Sequence, residues 1–272
     1  MIPKMNFHTH TNFCDGKESA ESMVLAAIEK GFTALGFSGH SYTYFDERYC
    51  MSKGGVKEYQ KEIKRLKEVY TDKISIYCGI EQDFYSDEPI LDFEYAIGSV
   101  HYIKKDGQFL LVDETAEIMK ADIQEQFGGD PYAYTKLYFE TVGEVLKKTN
   151  ADIIGHFDLL TKFNEDNGIF NIADKRYLEY GFGAIEALIP YGKPFEINTG
   201  GIYRGFRKDA YPSLDFLKEI KRRGGNILLS SDSHDGNSLG FRFEEVVKLA
   251  LKVGFTSTLV WTPQGFEEIG LK

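Results

Sequence analysis

The chain has 272 residues, 42% hydrophobic and 27% charged, a balance that can fill a core and fits one α/β barrel of about 250 residues. A formal net charge of −10 argues against a nucleic-acid or membrane-surface partner, because both select basic patches. No apolar run approaches the length of a membrane span and Met1-Ile2-Pro3-Lys4 leads straight into strand-like sequence, so a soluble cytoplasmic protein is expected.

In chain order, KMNFHTHT reads as a first strand and ESMVLAAIEKG as a helix ending on Gly31. TALGFSGH follows as a strand and KEYQKEIKRLKEVY as a helix. ISIYCGIEQDF and FEYAIGSVHYI come next with no long helix between them. Residues 115 to 148 are helical, interrupted at Gly128-Gly129-Asp130-Pro131, a breaker sequence. DIIGHFDL, PFEINTGG, NILLSSDSH and TSTLVW are the remaining strand candidates. The helices RYLEYGFGAIEALI, SLDFLKEIKRRGG and FEEVVKLALKVGF lie among them. Repeated strand–helix units imply a mostly parallel sheet. With no linker or low-complexity break, residues 1–272 read as a single domain. Seven or eight strands in this length favour a barrel over an open sheet.

The chain has six histidines: His8, His10, His40, His101, His156 and His234. Each falls in, or just past, the C-terminal half of a predicted strand. In an α/β barrel those ends surround one mouth. His8 and His10, two residues apart, project to the same side of a strand, and Asp232 and His234 repeat that spacing. Glu81 closes ISIYCGIE with Asp83 two residues on, and Asp15 precedes Gly16 in the first loop. Singly, each is more often a hydrogen-bonded structural residue than a ligand. Sharing one rim, they point to a metal centre.

The candidate ligands are His8, His10, Asp15, His40, Glu81, His101, His156, Asp232 and His234. An ion of the zinc type takes about four or five, so the set suits three ions with a bridging carboxylate. Nitrogen and oxygen donors without thiolate suit Zn²⁺, Mn²⁺ or Fe²⁺. Cys14, Cys50 and Cys78 show no CxxC spacing, which argues against a disulfide framework and a zinc ribbon.

HTHT, Asp15-Gly16, His40, Glu81, SVH at His101, GH at Gly155-His156 and SDSH at His234 together resemble the PHP (polymerase and histidinol phosphatase) superfamily, over nearly the whole chain. GSVHYI, GHFDL and EINTGG followed by YP are most similar to its stand-alone histidinol-phosphate phosphatases. The resemblance implies a distorted (β/α)7 TIM-like barrel with a trinuclear metal site at its C-terminal mouth. It implies that His8, His10, Glu81 and Asp232 hold one ion, and that Glu81 bridges to a second held by His101 and His156. Asp15, His40 and His234 would hold a third, with Asp15 standing where some relatives have histidine. The implied reaction is hydrolysis of L-histidinol phosphate by in-line attack of a metal-bridging hydroxide, with Asp232 and His234 at the reacting centre.

A phosphate monoester also calls for cationic partners. Arg204 and Arg207 lie in the loop after PFEIN, and Lys162 follows GHFDLL. Tyr42, Tyr44 and Glu114 are available to the rest of the substrate. Two other functions fit the ligands: a PHP phosphoesterase for nucleotides or oligonucleotide ends, and a non-catalytic metal-binding protein. The sequence leaves the oligomeric state open.

Overall fold

The computed structural model describes residues 2–272. Strands β1 (Met5–Asn6), β2 (Ala34–Phe37), β3 (Ser75–Asp83) and β4 (Tyr95–Ser99) pair in parallel in that order. The predicted strand FEYAIGSVHYI breaks after Ser99. Its second half becomes β5 (Tyr102–Lys105), which turns back through Asp106-Gly107 to β6 (Gln108–Leu111) as a separate antiparallel hairpin. The parallel sheet resumes with β7 (Ile153–Ile154), β8 (Phe195–Asn198) and β9 (Ile227–Ser230). The barrel therefore has seven parallel strands.

TSTLVW is not an eighth barrel strand. It forms β10 (Ser257–Thr262), paired antiparallel with β11 (Gly265–Gly270). Its burial alternates, whereas the barrel strands β2, β8 and β9 are buried at every residue. Only strands covered on both faces need be apolar throughout. The hairpin caps the lower end of the barrel: Val260 packs with Phe7, Tyr95 and Leu228, and the Trp261 ring lies 5.9 Å from that of Tyr95.

Tyr95 occupies the middle of that layer and is 1% exposed. Its hydroxyl donates to the carbonyls of Phe7 (2.6 Å) and Phe37 (2.9 Å), joining β4 to the start of the barrel. Gly36 and Gly79 make room for it. A Cβ at Gly79 would lie 2.3 Å from the tyrosine ring, closer than two carbons can pack.

The helices form where the sequence supplies both caps and an apolar face. Ser52 accepts from Gly55 N and starts the helix Lys53–Val69, one turn before the predicted KEYQ, and Tyr59, Ile63 and Leu66 are its buried stripe. The predicted break at residues 128–131 separates Ala116–Gln126 from Pro131–Gly143. Gly128 and Gly129 have φ of +61° and +81°, Asp130 caps the next helix, and Pro131 opens it. Among the described residues no helix is long and apolar enough to cross a membrane.

Closure happens at the mouth. Beyond β1 and β9 the chain continues extended, and Thr9 bridges Ser233 in parallel. His10 N donates to Ser233 O (2.8 Å) and Ser233 N to His8 O (3.0 Å). A second bridge joins His40 to Glu81. The residues that close the barrel are thus interleaved with the candidate ligands.

Candidate metal centre

All nine candidate ligands converge. Four overlapping groups have ligand atoms within 4.8 Å of one another: His8–Glu81–His156, His8–His10–Asp232, His40–Glu81–His101, and His10–Asp15–His40–His234. Glu81, 1% exposed, has five of the histidines around its carboxylate. Its Oε2 lies 2.9 Å from His40 Nδ1, 3.2 Å from His8 Nε2 and 3.4 Å from His10 Nε2. Its Oε1 lies 2.9 Å from His156 Nε2 and 3.4 Å from His101 Nε2. Asp232 Oδ1 is 3.3 Å from His10 Nε2, and Asp15 Oδ2 is 3.1 Å from His234 Nε2.

Such a set fits metal ions better than it fits itself. His8 Nε2, His10 Nε2 and Glu81 Oε2 are buried without a hydrogen-bond partner, and all three belong to this cluster. Leaving buried polar atoms unpaired costs about 1–3 kcal/mol each, and divalent cations would satisfy them together. We conclude that the cluster is a divalent-metal centre.

Groups outside it fix the imidazoles. Glu196 Oε1 sits 2.6 Å from His8 Nδ1, so a proton held there directs the Nε2 lone pair into the cluster. Glu196 in turn accepts from Ser230 Oγ, from Asn198 Nδ2 (2.9 Å) and from His156 N (2.8 Å). Asp83 Oδ2 plays the same part for His101, 3.1 Å from its N and 3.3 Å from its Nδ1. Sequence reasoning passed over Glu196. The signal available was a carboxylate inside the otherwise apolar strand PFEIN, where an unpaired charge would not be tolerated.

The electrostatics follow from burial and crowding. Burial opposes ionisation of Glu81, but His40, His8 and His101 overcome it and hold the carboxyl well below its usual range. Burial likewise opposes ionisation of Asp232, where Arg204 and His8 prevail. Burial, with His234 and His40 alongside, pushes His10 down to about 3, so its imidazole is neutral, the ligand form. Asp232 has φ +45°, which is uncommon for a residue with a side chain and marks local strain at the site.

The candidate substrate groups divide. Arg204 reaches the centre: Nη2 donates to Asp232 Oδ2 (2.9 Å), and Nη1 lies 3.0 Å from His234 Nδ1. Gly200 permits this approach, since a Cβ there would lie 2.9 Å from Arg204 Nη2. Lys162 lines the same cavity of about 360 Å³, its Nζ donating to Asp113 O (2.8 Å) and Oδ2 (3.0 Å). Glu114 is on that wall too, held by Arg48 through bonds of 2.9 and 3.0 Å. Arg48 and Tyr49 line the cavity as well, and neither stood out in the sequence.

Arg207, Tyr42 and Tyr44 do not line the cavity. Arg207 is 6% exposed and turned sideways, bonded to Thr161 Oγ1 and 3.3 Å from Glu165 Oε1. Its loop doubles back after Arg204, so neighbours in sequence point to different places. Tyr42 donates to Glu47 (2.7 Å) and lines a separate cleft with Lys53 and Gln82. Tyr44 is 57% exposed and packs on Phe45. Cys14 stays a free thiol, donating to Thr11 O (3.4 Å) with His10 Nδ1 3.6 Å away.

A barrel of this kind with nine converging ligands defines a class of metalloenzyme scaffold, and comparison gives the class its name. The PHP domain pattern matches residues 6–200, and the chain belongs to that family. The histidinol-phosphatase of Lactococcus lactis subsp. lactis is 28% identical over 270 residues, 93% of each chain. That of Bacillus subtilis is 23% identical over 89% of this chain and 98% of its own. The crystal structure of histidinol phosphate phosphatase from Lactococcus lactis, complexed with zinc, L-histidinol and phosphate, superposes with a TM-score of 0.76 at 24% identity. The match covers 98% of this chain and all of that one.

Proposed function

We propose that this chain is a metal-dependent phosphoric monoester hydrolase that converts L-histidinol phosphate into L-histidinol and phosphate, the phosphatase step of histidine biosynthesis. The observation that carries the reading is the convergence of nine nitrogen and oxygen ligands and Arg204 on one open cavity. Relatives spanning nine-tenths of the chain or close to it are named for this activity, and one binds zinc, histidinol and phosphate. We take the centre to hold three ions, of zinc, manganese or iron, supported by nine nitrogen and oxygen donors, more than one ion or two would use. When bound, such ions neutralise phosphoryl charge and make water nucleophilic at neutral pH.

The protein's own groups do the rest. Arg204 faces the anion with N–H groups beyond those it gives to Asp232. The carboxylate of Asp232, kept ionised by Arg204 and His8, takes the proton of the attacking water. Glu196 and Asp83 keep His8 and His101 in one tautomer. Asp113 and Glu114 put acidic groups on the wall where a cationic leaving group would lie, and Lys162 and Arg48 hold them there. Residues 1–272 act as one domain.

The test is phosphate release from L-histidinol phosphate by protein stripped with a chelator and reloaded separately with Zn²⁺, Mn²⁺ or Fe²⁺. Nucleoside monophosphates and an aryl phosphate serve as comparison substrates. Strong preference for histidinol phosphate, lost on chelation and restored by metal, is expected. Faster turnover of nucleotides would move the substrate to the nucleotide reading, and no turnover with any metal would leave a non-catalytic binding protein.

A further inference from the structure

Arg207 is a buried cation outside the cavity. Its guanidinium touches two segments. Nη1 donates to Thr161 Oγ1, and Nη2 to Ser213 Oγ (3.5 Å). Nε stands 3.3 Å from Glu165 Oε1, and the guanidinium carbon lies 4.8 Å over the Tyr211 ring. Asp158, 0% exposed, shares Ser213 with it: Asp158 Oδ2 accepts from Ser213 N (3.0 Å) and Ser213 Oγ. Glu165 also accepts from Lys208 N, at 3.3 and 3.1 Å.

The segments so joined are the loops that follow β7 and β8. The first runs from His156 through Asp158, Thr161 and Lys162 to Asn167. The second runs from Asn198 through Arg204 to Ser213. Each delivers one cation to the cavity: Lys162 adjoins Thr161, and Arg204 is three residues before Arg207. Neither loop has a regular element longer than four residues to hold its shape; they contain a three-residue 3₁₀ turn and two four-residue helices. The order must come from side chains. A planar guanidinium with five donors can bind several acceptors at once, which an ammonium cannot do with the same geometry.

We propose that Arg207 is a positioning residue for phosphate binding: by clamping the β7 and β8 loops together it sets where Arg204 and Lys162 stand in the cavity. The clamp acts on binding of the anion; of the nine candidate metal ligands only His156 lies on a clamped loop, at its start beside β7. It rests on the reading that Arg204 takes phosphate.

The experiment compares wild type with Arg207→Lys, Arg207→Met and Thr161→Val as metal-loaded enzymes. It reads KM and kcat for L-histidinol phosphate and an aryl phosphate, the inhibition constant of inorganic phosphate, and metal content. Arg207→Met is expected to raise KM for both substrates and the phosphate inhibition constant together by about tenfold, with metal content unchanged and kcat reduced less. Arg207→Lys should recover part of the loss, and Thr161→Val should show a smaller rise of the same kind. Wild-type phosphate inhibition in folded Arg207→Met overturns the proposal, as does a loss confined to kcat or to metal content. Should Arg207→Met fail to fold, Thr161→Val decides by the same readout: a raised inhibition constant supports the clamp and a wild-type value overturns it. Arg204→Met separates the two readings, because an unchanged inhibition constant there removes the phosphate role of Arg204 itself.

Discussion

The two ends of one barrel are built on opposite rules. At the lower end Phe7, Tyr95, Ile97, Ile153 and Leu228 fill the interior and the β10–β11 hairpin seals it, and the buried Tyr95 hydroxyl is tied to the Phe7 and Phe37 carbonyls. At the upper end the same strands run out into His8, His10, His40, Glu81, His101, His156 and Asp232, buried nearly as deeply but with ligand atoms left unpaired. Burial is equal; satisfaction is not. The lower end is optimised for stability, and the upper end leaves groups unsatisfied that a bound ion would satisfy, which is how a site is held ready.

Substitutions should therefore separate by end. The largest effect is expected from Asp232→Asn, which removes a carboxylate from the proposed reacting centre while leaving the fold. Its kcat/KM for histidinol phosphate should fall by on the order of 10³-fold or more, with an unchanged circular dichroism spectrum. Activity near wild type would remove Asp232 from its role.

Next is Glu196→Gln, one layer behind the ligands. It preserves volume but gives up the anion facing His8 Nδ1, and should cost about 10–100-fold in metal affinity or activity. Titration of the apo-protein with Zn²⁺ reads this directly, and wild-type affinity would show that the His8 tautomer needs no anion.

The lower end should invert the pattern. Tyr95→Phe removes the one hydroxyl proton shared between the Phe7 and Phe37 carbonyls, lowering stability by about 1–3 kcal/mol while kcat stays within about twofold. Denaturant unfolding and steady-state kinetics on one preparation would check it. A large loss of kcat would mean that the two ends are coupled through β4.

The smallest effect belongs to the rim. The Arg48 side chain is 65% exposed, and its pairs with Asp46 and Glu114 should contribute below about 1 kcal/mol. Arg48 hydrogen bonding outweighs the opposing burial and lowers Asp46 to about 2. A depressed folded pKa stabilises above the ordinary carboxylate range and stops doing so as pH falls through about 2. Arg48→Met should accordingly narrow the stability difference between pH 5 and pH 2 slightly, and no change would mean that the pair is fully screened.

Much of this was legible in the chain. His8 and His10 two residues apart, the repeat of that spacing at Asp232 and His234, and histidines at the ends of apolar runs all follow from strand geometry, which puts i and i+2 on one face. The strand–helix alternation implied the parallel barrel, and Gly128 to Pro131 marked a helix boundary because their backbone preferences are local. TSTLVW was misplaced because a strand's own composition does not say which sheet it joins. Arg207 and Arg204 looked alike because a loop's path is invisible in the two residues between them. Glu196 escaped because its meaning lies in a partner 188 positions away. What the sequence by itself determined, then, is what local periodicity and residue chemistry carry: the candidate ligands, their facing and the alternation of elements. Only the tertiary structure decided which polar groups meet, because pairing across the barrel depends on closure between its first and last strands, and no short stretch of chain contains that contact.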